Sequence, residues 1–191
     1  MEDAGRVLTS SAVSRILYFA YGSNMDTATL RDRRGIEWSR SVVALARGWR
    51  LAVDKPSLLG SGEAMATIVT DPAAEVWGVL YEISASDYEH LELTEGVLID
   101  HYQRTELVVE PAGYWDGADH GRIVALTLAS DSRDPSIRPT TRYMRLLLDG
   151  AAEHALPRHW IDELARIEAV EQSDEVTALR SFFDHAMRKP D

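Results

Sequence analysis

Cysteine is absent from this sequence, and its absence removes several kinds of chemistry. Disulfide bonds, thiolate metal sites and a cysteine nucleophile are all excluded. The chain also lacks any apolar run near the ~20 residues that a membrane-spanning helix needs. Residues 1–14 hold two early acids and no apolar block, unlike a secretory signal peptide. We therefore expect a flexible tail over residues 1–14 and a cytoplasmic protein.

Positive charge is scarce as well. Lysine and arginine number 20 against 31 aspartate and glutamate residues, so the formal net charge is −11. No Lys/Arg-rich run offsets this balance, and the average surface should repel nucleic acid and anionic membranes. We expect neither as a partner. A small anionic ligand remains compatible with this charge, because backbone N–H groups alone can make a pocket locally positive.

The order of the hydrophobic patterns indicates one α+β domain over residues 15–191. With 191 residues, of which 45% are hydrophobic, the chain can build one substantial core. Aromatic and β-branched runs predict strands first, and helical spacing dominates later. The predicted strands cover 16–21, 42–53, 64–69, 76–83, 102–109 and 123–128, and the predicted helices cover 26–33, 86–96, 143–151, a segment from 157, and 175–188. This order favours a curled or barrel-like sheet with helices packed outside.

The first candidate site is the run Tyr-Phe-Ala-Tyr-Gly-Ser-Asn-Met at residues 18–25. A buried strand that stops in Gly-Ser-Asn and feeds a helix directs consecutive N–H groups at one spot, which can hold a carboxylate or an oxyanion. An ordinary tight turn would use the same residue types. A serine-hydrolase elbow fits worse, because the G-x-S-x-G pattern around Ser23 is absent.

The second candidate is Glu95, at the predicted end of a helix that opens at Ser86 with Glu89 as its capping-box partner. The apolar residues after Gly96 predict an apolar pocket, where the pKa of a carboxyl should rise and suit a general base or acid. The alternative is that Glu89, Glu92 and Glu95 form a solvated helix face.

The sequence contains no recognisable metal-binding or nucleotide-binding motif. His154 and His159 lie five apart across a proline, which is not a helical metal-ligand spacing, and no GxGxxG or Walker sequence occurs. Asp116, Asp119 and His120 could bind a cation, although a hydrated hairpin suits them better. The large aromatic residues Trp77, Tyr81, Trp115 and Trp160 are expected in or beside the core.

Several segments, taken in order, resemble the γ-glutamyl cyclotransferase family. They are YFAYGSNM at 18–25, ATIV at 66–69, VWGVLYEI at 76–83 and TEGV at 94–97, joined by Tyr102 and Tyr143 at matching places. The similarity covers roughly residues 16–168. The resemblance implies a small mixed-sheet barrel with peripheral helices, consistent with the α+β class reached from the patterns.

The resemblance also implies the site and the reaction. Glu95 would be the catalytic acid/base, and the substrate-binding residues would be Tyr18, Phe19, Ala20, Tyr21, Gly22, Ser23, Asn24, Tyr102 and Tyr143. The expected partner is a small γ-glutamyl compound, whose α-amine closes on the γ-carbonyl to release 5-oxoproline, as in glutathione metabolism, without cofactor or metal. A homodimer and a monomer both remain open. Residues 56–64 and 114–121 depart from the family pattern, so the leaving group is not specified.

Three other functions remain in competition. One is a sister activity that frees a γ-glutamyl group from an amine or a protected biosynthetic intermediate. Another is a catalytically silent γ-glutamyl-binding module, which the presence of Glu95 disfavours because Gln or Ala would be expected there. A serine hydrolase acting through Ser23 lacks a motif-placed histidine and is the weakest.

Overall fold

The computed structural model of this protein describes residues 14–58 and 62–171, and a closed five-stranded barrel forms its centre. The strands are β1 Arg15–Ala20, β2 Trp38–Pro56, β3 Ala64–Ser84, β4 Gln103–Pro111 and β5 Ile123–Ala129. They follow each other around the barrel in the order β1-β3-β2-β4-β5. β1 closes the barrel by pairing in parallel with β5, whereas the other pairs are antiparallel. The mixed barrel with outer helices confirms the predicted α+β fold.

β2 and β3 form one long hairpin where the sequence predicted three separate strands. The expected break at the aspartate and proline of β3 is instead an irregularity within a continuous strand. The register steps from Arg47 opposite Glu75 to Trp49 opposite Thr70, so several residues of β3 lie across from Gly48. Gly48 has a φ of 80°, a conformation that glycine adopts without strain. The gap predicted between the strands at 64–69 and 76–83 is therefore a bulge within β3.

The barrel interior and the helix interfaces form one core. β1 contributes a fully buried Phe19, and β3 contributes Leu80 and Tyr81, which are equally inaccessible. Trp115 and Trp160 are also buried, and Trp77 packs partly buried against the core, as predicted for these aromatic residues. This apolar interior fixes the strands whose ends carry the candidate site.

Residues 14–58 and 62–171 include three α-helices outside the barrel strands: α1 Ala85–Thr94, α2 Thr141–Glu153 and α3 Arg158–Ala165. The predicted capping box of α1 was wrong, because the N-cap lies two residues before Ser86. Ser84 is the N-cap, and its hydroxyl accepts a 3.0 Å hydrogen bond from the Asp87 N–H. Thr140 caps α2 in the same way through the Tyr143 N–H.

The segment between β1 and β2 holds two short helical turns, and α2 packs directly on the first of them. This is the 3₁₀ turn Ser23–Met25, which is followed by a π-helical segment, Ala28–Arg33, where the sequence predicted an ordinary helix. Gly150 of α2 makes the close approach possible. A Cβ there would lie 2.6 Å from the Asp26 nitrogen and 2.7 Å from the Met25 carbonyl carbon. Because Gly150 has no side chain, α2 can pack this closely on the turn.

Two predicted features lie outside the described residues. These are almost all of the tail at 1–14 and the last helix at 175–188, so they stay predictions, as does the single domain over 15–191. Within the part of the chain that the structure covers, no helix is long and apolar enough to cross a membrane.

Candidate active site

A pocket beside the end of β1 brings together residues that are far apart in the sequence. It encloses about 400 Å³ including its open mouth. It is lined by Tyr18, Tyr21, Gly22, Ser23, Asn24, Arg34, Met65, Ala66, Glu95, Tyr102, Leu128 and Tyr143. Most of the predicted site residues therefore surround one cavity. Phe19 and Ala20 are not among its lining residues, and both are buried in the hydrophobic core.

The Gly-Ser-Asn turn forms one wall of this pocket. The Met25 N–H donates to the Gly22 carbonyl at 3.0 Å, which closes the turn. The N–H groups of Ser23 and Asn24 precede this bond, and neither has a hydrogen-bond partner among the described residues. A Cβ on Gly22 would lie 3.4 Å from the Ala66 Cβ and 3.5 Å from the Tyr143 hydroxyl. The turn thus presents free donors beside a narrow gap.

Glu95 caps the C-terminal end of α1, and one of its two carboxylate oxygens is anchored twice. Oε1 accepts a 3.1 Å hydrogen bond from Asn24 Nδ2 and forms a 2.6 Å ion pair with Arg34 Nη2. Oε2 has no hydrogen-bond partner in the described part of the chain. The carboxyl is 17% exposed and lines the pocket, so Oε2 is the oxygen left for a ligand. Gly96, with a φ of 69°, ends the helix at this point.

Arg34 makes the surroundings of Glu95 more polar than the sequence predicted. Its Nη1 donates to the Thr94 hydroxyl at 2.6 Å, so the guanidinium contacts two consecutive residues. The expectation of an apolar pocket around Glu95 was therefore wrong.

Asn24 connects the turn to both Glu95 and the strand. Its Nδ2 also donates to the Tyr18 hydroxyl at 2.9 Å, while its Oδ1 is buried with no hydrogen-bond partner. Burial raises the pKa of Tyr18 well above its ordinary value, so this hydroxyl stays protonated at neutral pH. Asn24 is thereby held in place by two partners and keeps one unused acceptor.

Three further tyrosines, from α2 and from the ends of β1 and β4, bond to the backbone of strands that line the pocket. The Tyr143 hydroxyl accepts the Ala66 N–H at 3.0 Å, and the Tyr102 hydroxyl donates to the Ala66 carbonyl at 2.7 Å. The Tyr21 hydroxyl donates to the carbonyl of Leu128. Burial raises the pKa of Tyr21 and Tyr102, so both remain neutral donors. All three hydroxyls have structural bonds in addition to any contact with a ligand.

The helix face that was predicted to be solvated is only partly so. Glu89 is exposed, but Glu92 is 14% exposed and makes two 2.7 Å hydrogen bonds with Arg104. Glu95 turns into the pocket instead. The three glutamates therefore have three different environments, and the expected solvation holds for Glu89 alone.

The other polar candidates lie elsewhere. Asp119 and His120 are more than 90% exposed in a hairpin turn, and Asp116 pairs with Arg40 at 2.9 Å. His154 bonds the Tyr81 hydroxyl at 2.9 Å. No cluster of three or more potential metal ligands occurs in residues 14–58 and 62–171. None of the described residues that line the pocket around Ser23 is a histidine, so the hydrolase alternative gains no support.

Sequence reasoning missed Arg34, Met65, Ala66 and Leu128 as pocket residues. Arg34 follows Arg31 and Arg33 in a charged run that has the pattern of a solvated surface. The backbone of Ala66 lines the pocket, and a backbone role leaves no side-chain signal. No local pattern could have identified these positions, because the barrel's closure brings them together.

Comparisons with known proteins point in one direction. Residues 75–164 match the model of the AIG2-like family. A γ-glutamylcyclotransferase of Bos taurus is 29% identical over 166 residues, which cover 84% of this chain and 83% of the relative, and that of Homo sapiens is 27% identical over the same length. A solved γ-glutamyl cyclotransferase has a TM-score of 0.72 at 24% identity, over 88% of this chain and 99% of the other. At 24% identity, this last comparison shows a similarity of fold only.

Proposed function

We propose that this chain, which is similar to γ-glutamylcyclotransferases over 84% of its length, is a γ-glutamyl cyclotransferase and that Glu95 is the proton-transferring group of its reaction. The substrate would be a small γ-glutamyl compound, and the products 5-oxoproline and a free amine or amino acid. The observation that carries the proposal is the asymmetry of Glu95. Asn24 and Arg34 anchor Oε1, and Oε2 is left open in the pocket.

The first step is proton removal from the substrate's α-ammonium group. Only the neutral amine can attack, and an ionised carboxylate within hydrogen-bond reach can accept this proton. The two donors on Oε1 fix the plane of the carboxylate before the substrate arrives. Oε2 is consequently a base of fixed orientation.

Ring closure then forms a bond from the amine nitrogen to the γ-carbon and places negative charge on the carbonyl oxygen. The Ser23 and Asn24 N–H groups lack protein partners and are suited to this oxyanion or to the substrate's α-carboxylate. Protonated Glu95 next gives its proton to the leaving nitrogen as the γ-carbon–nitrogen bond breaks. The carboxylate then takes the second proton from the ring nitrogen and passes it to the departing amine or to water.

The experiment is an assay of 5-oxoproline release from a panel of γ-glutamyl compounds. γ-Glutamyl-amino acids and γ-glutamyl-amines are offered at equal concentration, with α-glutamyl isomers as controls that cannot close the same ring. Release from at least one γ-glutamyl class, and none from the isomers, supports the proposal. Release from the amines alone would identify the sister activity. If no compound yields 5-oxoproline, while binding of a γ-glutamyl ligand persists, the chain is a binding module.

A further inference from the structure

Asn24 carries a buried hydrogen-bond acceptor that neither the fold nor the proposed reaction uses. The residue lines the pocket and is 7% exposed. Its Nδ2 donates to the Tyr18 hydroxyl at 2.9 Å and to Glu95 Oε1 at 3.1 Å, so both hydrogens of the nitrogen are engaged. Its Oδ1 is buried and has no hydrogen-bond partner in residues 14–58 and 62–171. One end of the carboxamide is therefore fully bonded, and the other is not bonded at all.

The orientation of this carboxamide is fixed by its surroundings. An ionised carboxylate only accepts hydrogen bonds, so the nitrogen of Asn24, and not its oxygen, must face Glu95. The turn that carries Asn24 is closed by the Met25 N–H, which donates to the Gly22 carbonyl at 3.0 Å. From the other side, α2 packs against the Met25 backbone at Gly150. Oδ1 is consequently held in one place before a substrate binds.

A buried carbonyl oxygen without a partner destabilises the fold. The unpaired acceptor loses its bonds to water and gains none in the protein, whereas an apolar side chain of similar size avoids this cost. Anchoring Glu95 requires a donor at this place, which accounts for Nδ2 but not for Oδ1. Because Asn24 lines the pocket, a group of the bound ligand is the partner that the site can supply to Oδ1.

The group that meets Oδ1 must be a hydrogen-bond donor. The γ-glutamyl part of a substrate has two such groups, the α-ammonium and the N–H of the scissile amide, since its carboxylate and carbonyl oxygens only accept. The ammonium carries three N–H bonds, and the proposed reaction uses one of them at Glu95 Oε2. Asn24 and Glu95 are bonded to each other, so the second acceptor belongs to a direct neighbour of the first. The ammonium is therefore the better match for Oδ1.

The two acceptors have different effects on the amine. A carboxylate can take the proton, whereas an amide oxygen is a much weaker base and only accepts the hydrogen bond. After the proton has moved to Glu95, the neutral amine still has two N–H bonds, and one of them can stay on Asn24 Oδ1. The nitrogen is then still held in place while its lone pair attacks the γ-carbon, as ring closure requires.

We propose that Asn24 Oδ1 binds the substrate's α-ammonium beside Glu95 Oε2, and that this contact selects compounds with a free α-amino group. The proposal rests on the function proposed for this pocket and assigns one residue to substrate recognition. An asparagine that only anchored Glu95 would make no difference to ammonium recognition once the carboxylate of Glu95 has been replaced.

The test measures ligand binding in the Glu95→Gln background, where the carboxylate is gone and turnover is slow. The ligands are γ-glutamylalanine and γ-glutamylethylamine, each compared by calorimetry with its glutaryl counterpart, in which hydrogen replaces the α-ammonium. The ratio of the two affinities is the ammonium preference. Asn24→Leu, added to this background, removes Oδ1 with a side chain of similar size. Gln103→Leu, at an exposed amide of β4, is the matched control.

The ammonium preference should fall at least ~10-fold when Asn24→Leu is added to Glu95→Gln, because a hydrogen bond from a charged donor is lost. The affinity for the glutaryl ligands should change little, since they have no ammonium to lose. Gln103→Leu should leave both affinities as they are. Asn24→Ala provides the same comparison with a smaller side chain and should show the same fall.

Several results would overturn the proposal. One is an unchanged ammonium preference after Asn24→Leu, and another is an equal loss of affinity for both kinds of ligand, which would assign Oδ1 to the amide N–H. A third is failure of both Asn24→Leu and Asn24→Ala to fold, which would make the carboxamide a structural support. The proposed function fails separately, if the wild type binds γ-glutamyl ligands and releases no 5-oxoproline. The affinity ratio would still decide the role of Asn24 in that case.

Discussion

Arg34 Nη2 lies 2.6 Å from Glu95 Oε1 and joins the segment after β1 to the end of α1. The same guanidinium reaches the Thr94 hydroxyl at 2.6 Å, so it fixes two consecutive residues at once. A planar group with several donors can do this, whereas an ammonium cannot reproduce the geometry. The position of Glu95 therefore depends on a residue about sixty positions away in the chain.

Arg34→Met should impair catalysis. The variant loses the 2.6 Å ion pair with Glu95 Oε1 and the bond to the Thr94 hydroxyl, so the carboxylate keeps one anchor instead of two and kcat/KM should fall at least ~10-fold. Arg34→Lys should restore the ion pair but not the bond to Thr94, and it should recover part of the loss. The check is kcat/KM for 5-oxoproline release. Arg158→Met, at an 84% exposed side chain, is the control, and equal kcat/KM in Arg34→Met and wild type would contradict the role of Arg34.

Gly22→Val should abolish turnover while Gly22→Ala retains part of it. The φ of Gly22 is −117°, so the backbone does not need glycine. The Cβ of alanine would fit at 3.4 Å from Ala66, but the valine methyls would enter the gap towards Tyr143. Steady-state kinetics on folded variants make the comparison. Normal kinetics from Gly22→Val would remove the turn from the site.

Tyr143→Phe should lower stability as well as substrate use. The hydroxyl accepts the buried Ala66 N–H at 3.0 Å, and its loss leaves that donor unsatisfied. The expected cost is about 1–3 kcal/mol in the free energy of unfolding, measured by urea denaturation. Tyr114→Phe, at an 86% exposed residue, should be close to neutral. Equal stability of Tyr143→Phe and wild type would show that the hydroxyl serves the substrate alone.

The parts of the fold that could be predicted are those with a local signal. Alternation and apolar runs located all five strands, and the Gly-Ser-Asn sequence located the turn after β1. The bulge opposite Gly48 was not predictable, because Asp-Pro punctuation has the same pattern whether a strand ends or bulges. The cap at Ser84 was missed because two serines lie two residues apart and both suit an N-cap.

The parts of the site that could be predicted are those that lie in short continuous segments of the sequence. The turn and Glu95 stand out in the sequence, and the barrel brings them within 3.1 Å of each other through Asn24. Arg34 carries charge, but its place in the pocket depends on tertiary packing. A charged residue in a sequence is usually solvated, so Arg34 could not be told from a surface residue.

Glu95→Gln separates proton transfer by this carboxylate from its hydrogen bonding. Glutamine can still accept hydrogen bonds from Asn24 and Arg34, but it cannot accept a proton from the α-ammonium. Glu92 is unsuitable as a control because it is ion-paired with Arg104, whereas Glu89 is exposed on the same helix. Glu89→Gln is therefore the matched control.

The measurement is the rate of 5-oxoproline formation by Glu95→Gln, with binding of a γ-glutamyl ligand followed on the same preparation. We expect the variant to fold and bind, with formation reduced at least ~100-fold, the low end for a lost general base. Glu89→Gln should match the wild type. A Glu95→Gln protein that keeps most of its activity, or an equal loss in Glu89→Gln, would contradict the account.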